Sequence, residues 1–196
     1  MSVLRYYLVV VLLVPCLLAP KVGAAWGRRT ADDFDPCCGN SVWLNWKAVA
    51  SSADGTKVAA VTEFNGHGYV WTSEDSGLTW TKSNSTGGGK PWVDITSSAD
   101  GQNLAAAVTG SVGGNIWTSG DGGVTWTEKV GTQQTWSAIA SSSDGTKLFA
   151  VVWRGHIWQS HDTGATWSSD NSPGTQEWRG VVASGDGQKL AAIAFP

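Results

Sequence analysis

Apolar and polar positions repeat along this chain with a long period. Segments opening at Trp46, Trp92, Trp136 and Trp178 run through small apolar residues into a polar S-x-D-G turn. The spacings between these tryptophans are 46, 44 and 42 residues. Each turn leads into a second apolar run, at Val58–Val61, Leu104–Val108, Leu148–Val152 and Leu190–Ala194. Asp-Gly between two such runs predicts a β-hairpin. A third run, Tyr69–Thr72, Asn115–Thr118 or His156–Gln159, precedes the motif S-x-D-x-G-x-T-W. That motif stands at Ser73–Trp80, Ser119–Trp126 and Ser160–Trp167. Its Ser and Asp side chains accept hydrogen bonds from nearby backbone N–H groups, and its Gly tolerates a positive φ. The motif is therefore a turn, and Thr-Trp restarts a strand.

One unit is four strands: a Trp-led strand a, an Ala-rich strand b, an Ile/Val-Trp strand c and a Thr-Trp strand d. Four short strands in a repeat of this length predict the blade of a β-propeller. The fold class is all-β, a partial propeller with blades starting near Trp46, Trp92, Trp136 and Trp178. The last repeat stops after strand b at Phe195-Pro196, which makes 14 strands, or three and a half blades. Such an open arc predicts a fragment of a larger ring or an arc completed by another chain, and the first reading is preferred. Its open blade edge is a candidate site of association. Of 13 tryptophans, ten fall at repeat positions and read as core between blades; Trp26, Trp43 and Trp153 do not.

The triplicated motif resembles the Asp-box, or BNR, repeat of sialidases, sortilin-type receptors and photosystem II stability/assembly factors. The resemblance covers about 150 residues. It implies that Ser73, Asp75, Gly77 and Trp80, with Ser119, Asp121, Gly123 and Trp126 and with Ser160, Asp162, Gly164 and Trp167, are structural turns on a propeller rim. It does not extend to a sialidase site, which requires three arginines, a Tyr/Glu nucleophile pair and an acidic proton donor. The repeats hold only Arg154 and Arg179, and one tyrosine, Tyr69. The assembly-factor resemblance is close in W-x-x-I-A-S-S-x-D-G-x-K-L-A-A and G-x-I-W-T-S-x-D-x-G-x-T-W. That family presents a basic patch, and no comparable cluster stands here.

The ends change the picture. Arg5, an apolar run from Tyr6 to Leu18 and small residues at Gly23, Ala24 and Ala25 have the layout of a secretory signal peptide over 1–25. A linker at 26–41 and the repeats at 42–196 follow. The expected location is extracellular, with no membrane span after cleavage. A signal anchor is one alternative. Another is a plastid lumen, since Trp26 would open the cleaved chain as in some bipartite presequences. Cys37 and Cys38 are adjacent, and three states stay open: a strained vicinal disulfide, pairing with another chain, or free thiols. Asn84-Ser85-Thr86 is the single glycosylation sequon, at Asn84.

Net charge is −3, with no Lys/Arg cluster, which argues against a nucleic-acid partner. No metal-ligand spacing or phosphate loop is legible, so neither metal nor cofactor is expected. In a four-stranded blade the a–b and c–d turns share one face. Function is expected on the other, where the repeats differ most. There Glu63, His67, Trp153, Arg154 and His156 are candidate binding residues for an acidic or sugar ligand, with Trp153 as a stacking platform. Glu63 and Glu177 are the acids on that face able to form a glycosidase pair. The expected function is a secreted, non-catalytic propeller that binds a protein or glycan. The alternatives are a sialidase-like hydrolase fragment and a photosystem II assembly factor-like protein.

Overall fold

The computed structural model describes residues 45–110, 113–171 and 173–196, together with the backbone of two short strands upstream. Those two, β1 (Leu12–Leu13) and β2 (Trp26–Gly27), pair antiparallel. The expectations for the leader, the linker, Cys37 and Cys38 otherwise lie outside the described residues.

Every regular element among the described residues is a strand. Strands β3 (Trp46–Ser51), β4 (Val58–Thr62), β5 (Val70–Ser73) and β6 (Thr81–Lys82) form the first antiparallel blade. The second holds β7 (Trp92–Ser97), β8 (Leu104–Val108), β9 (Gly114–Ser119) and β10 (Thr127–Gln134). The third holds β11 (Trp136–Ser141), β12 (Leu148–Gly155), β13 (Ile157–Ser160) and β14 (Ser168–Asp170). A last hairpin, β15 (Gln176–Ala183) and β16 (Leu190–Phe195), completes the partial propeller.

Two details depart from the repeat. Strand β10 continues to Gln134, which pairs with Gly114 after an irregularity. The Thr132 hydroxyl sustains the extension by accepting from Ile116 N and donating to Lys129 O. Strand β12 also overruns its blade. The following loop is a short hairpin closed by Val152 N to His156 O, with Arg154 at its tip at φ 55°. The end of β12 pairs with β15 through Trp153↔Glu177 and Gly155↔Gln176, fusing the third blade and the last hairpin into one six-stranded sheet.

Blades pack face to face through small and large residues. All five positions of β4 and of β8 are buried, because alanine lets neighbouring sheets approach closely. Tryptophans fill what remains. Trp92 lies 6.2 Å from Trp117 and 6.4 Å from Trp126, centroid to centroid, and Trp136 lies 5.9 Å from Trp158 and 6.3 Å from Trp167. From the second blade on, each strand-a indole also reaches the preceding blade. Trp92 Nε1 donates to Gly68 O at 3.2 Å, Trp136 Nε1 to Gly114 O at 2.8 Å and Trp178 Nε1 to Gly155 O at 3.0 Å. Glycine is forced at the acceptor: a Cβ on Gly114 would stand 2.4 Å from Val108 O. Immediately after each strand-a tryptophan a β-bulge shifts the register, between Trp46/Ala48, Trp92/Asp94, Trp136/Ala138 and Trp178/Gly180.

A backbone chain ties the rim together. Ala53 N donates to Ala99 O at 2.8 Å, Ala99 N to Ser143 O at 2.7 Å and Ser143 N to Gly185 O at 2.7 Å, each bond joining the a–b turns of successive blades. Within a blade, Ser76 N to Thr56 O, Gly122 N to Gln102 O and Thr163 N to Thr146 O bring both turn classes to one face, as the topology predicts.

The residue before the motif glycine takes a left-handed conformation. It is Gly122 at φ 70° in the second copy, but Ser76 and Thr163, both at φ 58°, in the others. A β-branched residue is strained there. Thr163→Gly is therefore expected to raise stability by about 1 kcal/mol, since relief of that strain exceeds the added chain entropy. A urea midpoint that falls on this substitution would refute the strain.

Candidate functional site

The S-x-D-x-G-x-T-W turns use each fixed residue in a defined way. In the second copy Ser119 Oγ accepts from Gly123 N at 2.9 Å and donates to Asp121 Oδ1 at 2.7 Å. Asp121 Oδ1 also accepts from Thr125 N at 2.9 Å, and Oδ2 accepts from the Thr125 hydroxyl. Trp126 Nε1 closes the turn on Gly123 O at 3.0 Å. The same five bonds recur around Asp75 and Asp162. Donors from Thr79 and Thr166 hold Asp75 and Asp162 down at about 2. Asp121 is lowered for the same reason by Thr125. The four S-x-D-G turns are built alike, with Ser52 Oγ donating to Asp54 Oδ1 and accepting from Lys57 N. In the three S-x-D-x-G-x-T-W turns both carboxylate oxygens are spent on the turn itself, which accounts for every residue type that motif fixes.

The opposite face carries the variable residues, and the structure separates the five candidates. Glu63 Oε1 accepts from Gly66 N at 2.8 Å and Oε2 pairs with Lys47 at 3.3 Å, so its carboxylate serves the first blade's own loop. His67 closes that loop through reciprocal backbone bonds with Phe64. The buried Nδ1 of His156 has no hydrogen-bond partner, and its carbonyl closes the third-blade hairpin. Trp153 and Arg154, in contrast, join a cluster. Arg154 sits at the hairpin tip in a left-handed conformation, φ 55°, and its Nε donates to Glu177 Oε1 at 2.8 Å. The Arg154 guanidinium lies 5.7 Å from the Trp153 ring centroid, and that of Arg179 lies 3.8 Å from it. Arg179 also stands 4.7 Å from the Phe195 ring centroid. The β12–β15 pairing is what brings these residues together across two blades.

Sequence reasoning missed Glu177 as a partner of Arg154, and it missed Arg179 and Phe195 as neighbours of Trp153. The one available signal was position: Arg179 fills the bulge after strand-a tryptophan, where the other repeats carry Lys47, Val93 and Ser137. Asp94 was missed too. It occupies a strand-a position held elsewhere by Ala48, Ala138 and Gly180. Its Oδ1 accepts from Ile95 N and its Oδ2 from Ile139 N of the next blade, both at 2.9 Å. Burial pushes its carboxyl up to about 6 against the pull of those two bonds. The Ser141 hydroxyl extends this polar seam by bonding to Thr96 Oγ1 and to Ser97 O.

Asn84 is exposed in the loop after the first blade, while Thr86 of the same sequon is buried. Among the described residues no helix is long and apolar enough to cross a membrane.

This fold defines a class, the β-propeller, and solved structures bear it out. No family model and no curated protein matches the chain. Among solved structures, the chain is similar to a GH74 enzyme of Niastella koreensis, with 25% identity over 69% of this chain and a TM-score of 0.54. It is similar to YCF48 bound to a D1 peptide, with 17% identity over 88% of this chain and a TM-score of 0.59. It is also similar to a chain of a nidogen/laminin complex, with 14% identity over 76% of this chain and a TM-score of 0.58. The chain spans 20%, 51% and 56% of the lengths of those three. The neighbours thus include an enzyme as well as propellers seen in complex with a peptide or a protein.

Proposed function

We propose that this chain is a non-catalytic binding module of the Asp-box type, exported through its leader, whose variable face takes a protein or glycan ligand. The observation that carries this reading is the cluster of Trp153, Arg154, Glu177, Arg179 and Phe195. There, side chains outside the repeat pattern converge on one face, while Asp75, Asp121 and Asp162 on the other face spend both carboxylate oxygens on turn hydrogen bonds. Two propellers of similar fold were solved with a peptide or protein partner, which supports the same use. In an exporting eukaryotic host, Asn84 would carry a glycan.

The similarity to a GH74 enzyme favours a second reading, a glycoside hydrolase piece. Glycoside hydrolysis commonly needs two carboxyl groups flanking one bond. Here Glu63 is committed to Lys47 and Gly66, and Glu177 to Arg154, in separate blades. Function follows the site and not the fold. The purified chain is expected to release nothing from a fluorogenic sialoside, aryl glycosides or xyloglucan oligosaccharides. On peptide and glycan arrays it is expected to give signals that Trp153→Ala abolishes. Turnover lost in Glu63→Gln or Glu177→Gln would replace the binding reading with the hydrolase.

A further inference from the structure

We infer that Arg179 is a preorganised carboxylate-binding fork, and that the ligand of this face is an acidic peptide; this rests on the binding reading above. Arg179 is the residue its β-bulge inserts between Trp178 and Gly180, and a bulge re-aims the side chain it carries. The guanidinium contacts two aromatic rings at once, 3.8 Å from the centroid of Trp153 and 4.7 Å from that of Phe195. Both distances lie within the range of cation–π attraction. Contact with two rings at once restrains the group, and its N–H donors remain available to bond.

The neighbouring charges point the same way. Glu177 is answered by Arg154 at 2.8 Å, and Glu63 by Lys47 at 3.3 Å. No described carboxylate pairs with Arg179. The cluster of Arg154, Glu177 and Arg179 therefore keeps one net positive charge, on the residue whose donors are unspent. A guanidinium fork matches a carboxylate with two parallel hydrogen bonds. The sugar-stacking role expected for Trp153 is weakened, because Arg179 already covers its ring at 3.8 Å. What the site offers is a donor edge flanked by apolar rings. That suits an acidic side chain or a chain-terminal carboxylate beside an apolar residue.

The test needs no knowledge of the natural partner. Titrate the full chain with N-acetylglutamate amide, with N-acetylalanine and with N-acetylglutamine amide, and follow the Arg179 Nε–H resonance by 15N NMR. The glutamate probe is expected to move that resonance to saturation and the glutamine probe to leave it in place. N-acetylalanine reports whether a chain-terminal carboxylate serves as well. Arg179→Lys keeps the charge but not the fork and should weaken glutamate binding about tenfold. Glu177→Gln should strengthen it by releasing Arg154. An Arg179 resonance that ignores glutamate, or follows glutamine equally, overturns the fork. Array signals lost in Trp153→Ala but kept in Arg179→Lys would overturn it too, while leaving the binding reading in place.

Discussion

Trp136→Ala is expected to cost about 3–5 kcal/mol, a large part of the stability of a domain this size. Trp136 is 2% exposed and wedged between two blades. Its ring packs on Trp158 and Trp167 of its own blade, in the cluster that includes Ala105, Ala107 and Ile116 of the blade before. Its Nε1 donates to Gly114 O at 2.8 Å. Truncation removes the apolar contact and leaves a cavity that the stiff sheets cannot close. Trp136→Phe separates the two contributions. It keeps most of the packing but leaves a buried carbonyl without its donor, at about 1–2 kcal/mol. Urea denaturation of both variants measures the gap between them. Equal losses would mean that the hydrogen bond, and not the packing, carries the junction.

The second large effect is on the pH profile. The Asp94 carboxyl is raised to about 6 from an ordinary 3.8, mainly by burial. The folded state therefore holds this proton more tightly than the unfolded chain. The resulting stability is fully present below 3.8 and is lost as pH rises through 6. Across that window the loss is on the order of 2–3 kcal/mol. The turn aspartates act oppositely. Asp54, Asp75, Asp144 and Asp162 are held at about 2, so what they contribute is present above 3.8 and lost as pH falls toward 2. Stability should peak near pH 4 and be lower at pH 7. Asp94→Ala installs the residue that the first and third blades carry there, Ala48 and Ala138. In that variant the decline between pH 4 and pH 7 should disappear. A decline that survives the substitution would assign the titration to another group.

Repetition made the scaffold legible in the sequence. Trp46, Trp92, Trp136 and Trp178 mark the first strand of each unit as expected, and the pattern of Ser, Asp, Gly, Thr and Trp in each turn maps onto five hydrogen bonds. The candidate site was half legible. Trp153 and Arg154 stood out because nothing in the other repeats matches them. Arg179 and Asp94 were obscured by the same repetition, since they occupy variable positions next to an invariant tryptophan. The contacts that give them meaning, to Trp153 and to Ile139, cross from one blade to the next. The αL residues Ser76 and Thr163 were hidden for a different reason: neither is a type that announces a positive φ.

The rim bonds from Ala53 to Ala99, from Ala99 to Ser143 and from Ser143 to Gly185 bear on how such a chain changes length over generations. Along the rim each a–b turn gives one N–H to the next, and the indole-to-glycine bonds run the opposite way, from each tryptophan back to the blade before. A duplication or loss of one whole repeat re-forms every one of these bonds with an equivalent partner. A duplication of any other length strands a donor or an acceptor at the seam. Copy number is thus free to drift in whole blades, while the reading frame of the repeat is held by the hydrogen bonds.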